Sequence, residues 1–506
     1  MNQLLERITK NPPRVGSNFL HYLSLLIVIF GIVVRLVQYF SNRSLWGDEL
    51  MLALNIVDRS YLEFLQPLDH IQAAPPAFLW VEKLSVQLFG NNEYALRLFP
   101  LISGIISLIA FYKLGQWALS PIALPIALLL FACLRYPIYY TTEVKQYSSD
   151  VMVALLLSLL LISLRGQILG KGRALLLGVI GAVAVWFSHP AIFVLGGIEA
   201  VHLITAAPEK RKAILLNRWP SYLLWFASFG ILYILLTSKV AANQVLRQQW
   251  GKEYPGSVFD IVWLLDSFGR FFYRPMGFRQ INDGIAYFAF VIGCIVFYKT
   301  NRAKFLILIS PTAATLIATY LHKYPFRGRL ILFLTPFFIL IIAEGIAWLL
   351  SQWHRKKVFA ILGIVLAVTL LLPPTMRAAD LIVNPERKEE TRSVFEYIKS
   401  HKKPGDLIYS DRLNQFNYYG KMYFGFSDAD AVPTFQDFWN PLGFSQQSWE
   451  DFKRKANLPS QQRVWFVFTA LTPPEEAQVK PRLDQIGQEL EYFKQPGSFT
   501  YLYELK

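Results

Sequence analysis

Eleven apolar runs, each long enough to cross a bilayer, restrict what this chain can fold into more than any other feature. They fall near 18–40, 94–113, 121–141, 147–164, 174–188, 190–206, 220–238, 284–299, 304–321, 329–350 and 357–374. In hydrocarbon every backbone polar group must be satisfied within its own segment, so such runs become helices. The stretch 174–206 is one long run interrupted only by Ser188-His189-Pro190. Proline removes an intrahelical donor there, and either a turn between two short spans or one kinked helix results. Loop charge decides between them. With a cytoplasmic N-terminus and eleven spans, the inner loops hold Arg165/Lys171/Arg173, Lys210/Arg211/Lys212/Arg218, Lys299/Arg302/Lys304 and Arg355/Lys356/Lys357. All are basic, as inner loops should be, so two spans are predicted. The N-terminal segment carries Arg7, Lys10 and Arg14. The run after it is too long for a signal peptide and is read as a retained span.

The same argument covers the net charge of +15, whose bases are scattered between apolar spans and so indicate topology rather than nucleic-acid binding. Cys133 and Cys294 both lie inside apolar runs, which excludes a disulfide framework or a cysteine metal site. After residue 375 the spans stop and charged residues become frequent. Short β-rich runs appear at Asp406–Ser410, Arg463–Thr469 and Ser498–Tyr503, with helical patterns at Thr391–Ser400 and Pro474–Gln488. A membrane domain over 1–375 and a soluble α/β domain over 376–506 are expected. An odd span count places the second domain outside the cytoplasm, opposite the N-terminus.

That topology leaves Lys145, Arg270, Arg274, Arg279, Lys323, Arg327 and Arg329 on the outer face, where topology disfavours bases. They either snorkel and pair with acids, or form a receptor for an anionic lipid phosphate. The first outer loop, 41–93, brings Asp48 and Glu49 to the interface beside Trp46. On a structural reading Asp48 caps a short helix whose apolar face is Leu50, Leu54 and Val57. On a functional one the pair works on a substrate at the membrane surface. Further along, Tyr139-Tyr-Thr-Thr-Glu143-Val-Lys145-Gln-Tyr147 forms the next outer turn, with Glu143 and Tyr147 spaced to share a helix face and Asp150 just after. His322–Arg329 is a short outer loop with two arginines around Gly328. Such forks suit phosphate oxygens. Glu199 and His202 are three apart on a helix and are read as a hydrogen-bonded structural pair. The sequon Asn42-Arg-Ser44 lies against a span and is discounted. No phosphate-binding glycine loop, zinc signature or nucleophile elbow occurs.

Taken in order, Arg35…Leu45-Trp-Gly-Asp-Glu49, Ala74-Pro-Pro-Ala77 and Leu88-Phe-Gly-Asn-Asn-Glu-Tyr-Ala-Leu-Arg97 resemble the family-39-type membrane glycosyltransferases of the GT-C superfamily. Protein mannosyltransferases and aminoarabinose transferases belong to this group. Tyr139-Tyr…Glu143-x-Lys145-x-Tyr147 is similar to their acidic-x-basic-x-Tyr motif, with lysine where arginine is usual. Tyr324…Arg327-Gly-Arg329…Leu334-Thr-Pro336 is similar to their late Arg…Pro segment. The similarity covers roughly the first 375 residues and is strongest through about residue 165.

The resemblance implies a polytopic GT-C fold with an extracytoplasmic C-terminal α/β domain, and a multi-pass enzyme of the cell (inner) membrane. Its donor would be a polyprenyl-phosphate-linked sugar, and its acceptor a hydroxyl on envelope glycolipid, glycan or protein. It implies an inverting displacement with Asp48 as base, and a donor phosphate held by Lys145, Arg327 and Arg329. Glu143, Tyr147 and Arg97 are expected as supporting residues. Glu49 would orient the acceptor or help hold a divalent metal, the one cofactor left open. A transporter of lipid-linked sugars, or a surface-glycan polymerase or ligase, would share the spans and outer cations. A transporter leaves the Asp48-Glu49 loop and the attached soluble domain unexplained.

Overall fold

A computed structural model describes residues 15–239, 251, 253–432 and 458–506. The bases Arg7, Lys10 and Arg14 lie outside the described residues. The chain divides into two compact units. One comprises residues 1–40, 59–85 and 97–384; the other comprises 41–58, 86–96 and 385–506.

Among the described residues the first unit is built of helices and holds no strand. Each of the eleven apolar runs is a helix: α1 (Val15–Phe40), α4 (Glu93–Ala118), α5 (Ala123–Cys133) continued by α6 (Arg135–Tyr139), α7 (Tyr147–Ser163), α8 (Lys171–Phe187), α9 (Ala191–Thr205), α10 (Pro208–Leu232), α12 (Ile281–Thr300), α13 (Arg302–Tyr320), α14 (Thr335–Ser351) and α15 (Lys357–Val383). Between them in sequence lie α2 (Gly47–Asp58), which belongs to the second unit, α3 (Pro76–Phe89) and α11 (Ile261–Phe271). Seven helices among the described residues are long and apolar enough to cross a membrane, eight if the bent 123–142 pair is one span. Helices α7, α8 and α9 have 17, 17 and 15 residues. At 1.5 Å per residue they come to about 23–26 Å, short of a ~30 Å hydrocarbon core.

The 174–206 run is broken as expected. Helix α8 ends at Phe187, α9 begins at Ala191, and the two pack on each other. In the centre, α14 is buried almost all round, against α5, α12 and α15. Its contact with α12 is made backbone to backbone. A Cβ on Gly293 would fall 2.0 Å from the Ile341 carbonyl oxygen, and one on Gly345 would fall 2.7 Å from the Gly293 nitrogen.

Arg35, from the first motif, is fully buried in this unit. Its guanidinium donates to the carbonyls of Gly31, Phe131, Ala132 and Pro137 at 3.0–3.3 Å. Three of these acceptors surround the break between α5 and α6, where a helix C-terminus leaves carbonyls unpaired and carries partial negative charge.

The membrane helix α15 runs on through Pro373 and Pro374 to Val383, so the second unit takes up the chain at Pro385 rather than at 376. The expected boundary marks where hydropathy falls, and the helix outlasts it.

In that second unit α16 (Thr391–His401) leads to strand β1 (Leu407–Ser410). Strand β2 (Arg463–Thr469), α17 (Pro473–Ile486), β3 (Gly487–Gln495) and β4 (Ser498–Leu505) follow. The sheet order is β1-β2-β4-β3, with β1 parallel to β2 and the other pairs antiparallel. Central β2 is buried on both faces. Val464, Phe466 and Phe468 pack with Val479 and Leu483 of α17, while Trp465 meets Tyr397 of α16. Strand β3 corrects the expectation of helix through Gln488. Gly487 ends the helix, and the alternating exposure from Gly487 to Gln495 is that of an edge strand.

Candidate functional site

The motif residues fall into both units, and each set is described within its own. In the second unit α2 starts at Gly47, which puts Asp48 and Glu49 in its first turn. The two carboxylates have different surroundings. Glu49 is fully buried, and its Oε2 accepts from Arg43 Nη1 at 3.1 Å and from the Trp46 amide at 3.4 Å. The second bond is half of a capping box: the third helical residue reaches back to the residue preceding the helix. Asp48 is half-exposed and sits one position inside the helix rather than capping it from outside. Carboxylates in a first turn are favoured by the helix dipole. A divalent ion on Glu49 would have to displace Arg43. Among the described residues no three His, Cys, Asp or Glu side chains gather as a metal site.

Residues 42–47 are held by bonds from 385–419 of the same unit. The Gly47 amide donates to Glu389 Oε2 at 3.0 Å and the Leu45 amide to Tyr419 Oη at 2.6 Å. The Ser44 hydroxyl donates to Glu390 Oε2 at 3.2 Å. Arg392 Nη2 donates to the Asn42 carbonyl at 2.7 Å, and Nη1 pairs with Glu93 at 2.9 Å. Tyr419 in turn donates to Glu93 Oε1 at 3.0 Å. Lys388 Nζ sits 3.5 Å over the Trp46 ring. Burial holds the Glu389 carboxyl above its ordinary range, against the pull of the Gly47 amide and of Arg412 and Lys388.

In the first unit a row of tyrosines is flanked by arginines. Tyr136 stacks on Tyr140 at 6.0 Å and Tyr140 meets Tyr147 edge-on at 5.0 Å. The Arg274 guanidinium lies 5.4 Å from the Tyr136 ring centre, and Arg329 lies 5.4 Å from that of Tyr147. Gly328, beside Arg329, is left-handed at φ +55, with open space where a Cβ would stand. Lys145 is buried and donates to Gln72 Oε1 at 2.5 Å. Gln146 Nε2 donates to the Ala73 carbonyl at 3.3 Å.

Glu143 is extended and outside the helix that begins at Tyr147, so the expected shared helix face does not form. Both residues are buried nonetheless, as is Arg97 in the second turn of α4. Arg327 does not join Arg329. It is ion-paired with Glu253, and its Nη2 lies 3.4 Å from Asp266. Arg274 takes its place beside the tyrosines. Its expected place on the outer face was the sequence signal for it, but nothing in the local pattern set it apart from Arg270 and Arg279.

From Gln72 the chain runs through Pro76 into α3, whose Trp80 stacks on Trp186 at 6.0 Å. An apolar groove of about 670 Å³ opens there, lined by Trp80, Val81, Leu84, Val183, Trp186 and Leu224 among others. Away from these groups Glu199 binds His202, Arg218 at 2.6 Å and Tyr222 at 2.9 Å, a buried structural network.

Residues 73–236 match the family described as dolichyl-phosphate-mannose-protein mannosyltransferase. The Archaeoglobus fulgidus oligosaccharyltransferase, solved with zinc and sulfate, superposes with a TM-score of 0.53 at 11% identity, covering 95% of this chain and 72% of that one. ArnT from Cupriavidus metallidurans, solved with undecaprenyl phosphate, gives 0.52 at 13% identity over 94% and 97% of the two chains. No curated protein matches the chain by sequence. The chain shares the GT-C type of fold with these two structures, and its apolar helices make it a multi-pass membrane protein. Its 73–236 segment carries the protein-mannosyltransferase-type sequence pattern.

Proposed function

We propose that the protein moves a sugar from a polyprenyl-phosphate carrier to an acceptor hydroxyl on the outer face of the membrane. The observation that carries this reading is the tyrosine row with Arg274 and Arg329 at its ends, in a unit built of membrane helices. Two planar cations beside aromatic walls suit a lipid phosphate, because guanidinium forks match its oxygens and the rings keep the site dry. Lys145 adds a third charge. The segment from Gln72 to Trp80 leads from Lys145 to the apolar groove, where an isoprenoid tail would lie. ArnT's structure with undecaprenyl phosphate supports that class of donor.

Phosphate leaves without needing a proton donor, so the cations have to absorb the charge that develops on it. The acceptor oxygen bonds to the anomeric carbon as the carbon–phosphate-oxygen bond breaks, and Asp48 takes the hydroxyl proton. A single displacement of this kind inverts the anomeric centre. Glu49, committed to Arg43 and the Trp46 amide, orients the turn that carries Asp48.

The test uses purified protein in nanodiscs with a panel of undecaprenyl-phosphate hexoses and pentoses. Asp48→Asn should lower turnover by about 10²–10⁴, the usual share of a general base, while undecaprenyl phosphate binding persists. Arg329→Ala should weaken undecaprenyl phosphate binding by about 1.5–3 kcal/mol, as for a charge-assisted bond. Wild-type turnover in Asp48→Asn dismisses Asp48 as the base. Lipid translocation without release of free undecaprenyl phosphate would mark a transporter.

A further inference from the structure

We propose that Glu389, Tyr419 and Arg392 are positioning residues, which set the Asp48 carboxylate in place by fixing the backbone of residues 42–47. The inference rests on Asp48 as base and assigns a role to the 385–506 region. The turn between α1 and α2 is irregular, so its amides and carbonyls have no helical partners, and a helix start leaves further donors unpaired. Here the partners come from more than 300 residues away in sequence. Two of three consecutive amides, Leu45 and Gly47, donate to Tyr419 and Glu389; the third, Trp46, donates to Glu49. Arg392 takes the Asn42 carbonyl, and its backbone amide donates to the Ser44 hydroxyl at 3.2 Å. Tyr419 and Arg392 converge on Glu93, which ties the 86–96 segment into the same cluster.

Residues 42, 44, 45 and 47 are thus each gripped by the 389–419 segment, and the following residue is Asp48. Its side chain inherits the placement of that backbone. A carboxylate misplaced by about 1 Å from its reacting proton costs about 10² in rate, so a loop held this firmly is matched to proton abstraction. Glu389 has a second effect, since its carboxylate adds negative charge at the N-terminus of α2.

The experiment uses the full-length protein in nanodiscs, with Tyr419→Phe, Glu389→Ala and Glu389→Gln. Tyr419→Phe removes both bonds of the hydroxyl and keeps the ring. Glu389→Gln keeps one oxygen for the Gly47 amide. Hydrogen exchange over 42–50 should speed up at least tenfold in Tyr419→Phe and Glu389→Ala, with β2 and β4 still protected. The turnover number should drop about 5–50-fold, with donor KM and undecaprenyl phosphate affinity within twofold of wild type. Glu389→Gln should recover most of both. Unchanged exchange at 42–50, unchanged turnover despite loosening, or loss of protection across the sheet would each overturn the proposal. Exchange is read without turnover, so a wild-type rate in Asp48→Asn, which removes the base assignment, is told apart from failure of the clamp.

Discussion

Asp48 and Glu49 are neighbours in sequence with opposite surroundings, one half-exposed and one sealed against Arg43. Spacing alone does not separate them, and only the family resemblance set Asp48 apart as the base; their different burial depends on contacts from Arg43 and the helix start. The arginines behave likewise. Arg327 and Arg329 flank one glycine, yet Glu253 and Asp266 claim the first. Arg327→Ala should therefore leave undecaprenyl phosphate affinity within about twofold, where Arg329→Ala lowers it more than tenfold. Equal losses in a binding titration would return Arg327 to the site.

Asp411 makes a prediction about pH. Burial raises its carboxyl to about 7, with Glu389 pushing the same way and Thr469 and Arg412 opposing. An unfolded aspartate titrates near 3.9. Its contribution to stability is therefore greatest below about pH 4 and is lost as pH rises to 7. Asp411→Asn stays neutral throughout, so its melting temperature relative to wild type should climb between pH 5 and pH 8. A difference that does not vary with pH would show that the group ionises normally in the folded protein.

Among the elements, α12 and α14 meet through Gly293 and Gly345, and no side chain fits between them. Gly293→Val should cost about 1–3 kcal/mol or more through overpacking, seen as a melting temperature several degrees lower in detergent. A valine variant with wild-type stability would mean the helices can part without loss. The helices themselves were legible, since all eleven runs of apolar residues fold as helices. What the periodicity hid was β3: its first two residues were read as the end of a helix and the rest, rich in Glu, Lys and Gln at a sheet edge, was not read as a strand. Gly487 before it and Pro496-Gly497 after it were the available signals. The row of Tyr136, Tyr140 and Tyr147 was half legible. Tyr140 and Tyr147 stood out in an aromatic turn, but Tyr136 lies before it and Arg274 joins from more than 120 residues away, which no local spacing reveals.

At the scale of the molecule, basic inner loops and eleven helices predict that Lys506 lies outside the cytoplasm. A reporter that fluoresces only in the cytoplasm, fused after Lys506, should stay dark. A bright signal would require an even number of crossings, with α7, α8 and α9 the first to re-examine because of their length.

The chain enters the second unit at Ser41, leaves, returns at Val86, leaves again and returns at Pro385. This itinerary imposes a timetable on synthesis. The 41–58 segment emerges early, while the groups that bind its backbone are encoded more than 300 residues later. At about 5–20 residues per second the Leu45 and Gly47 amides wait on the order of 17–75 s for Tyr419 and Glu389. The turn that carries Asp48 is therefore finished only after residue 419 has been made, and a nascent chain released before then carries Asp48 without the grip on residues 42–47.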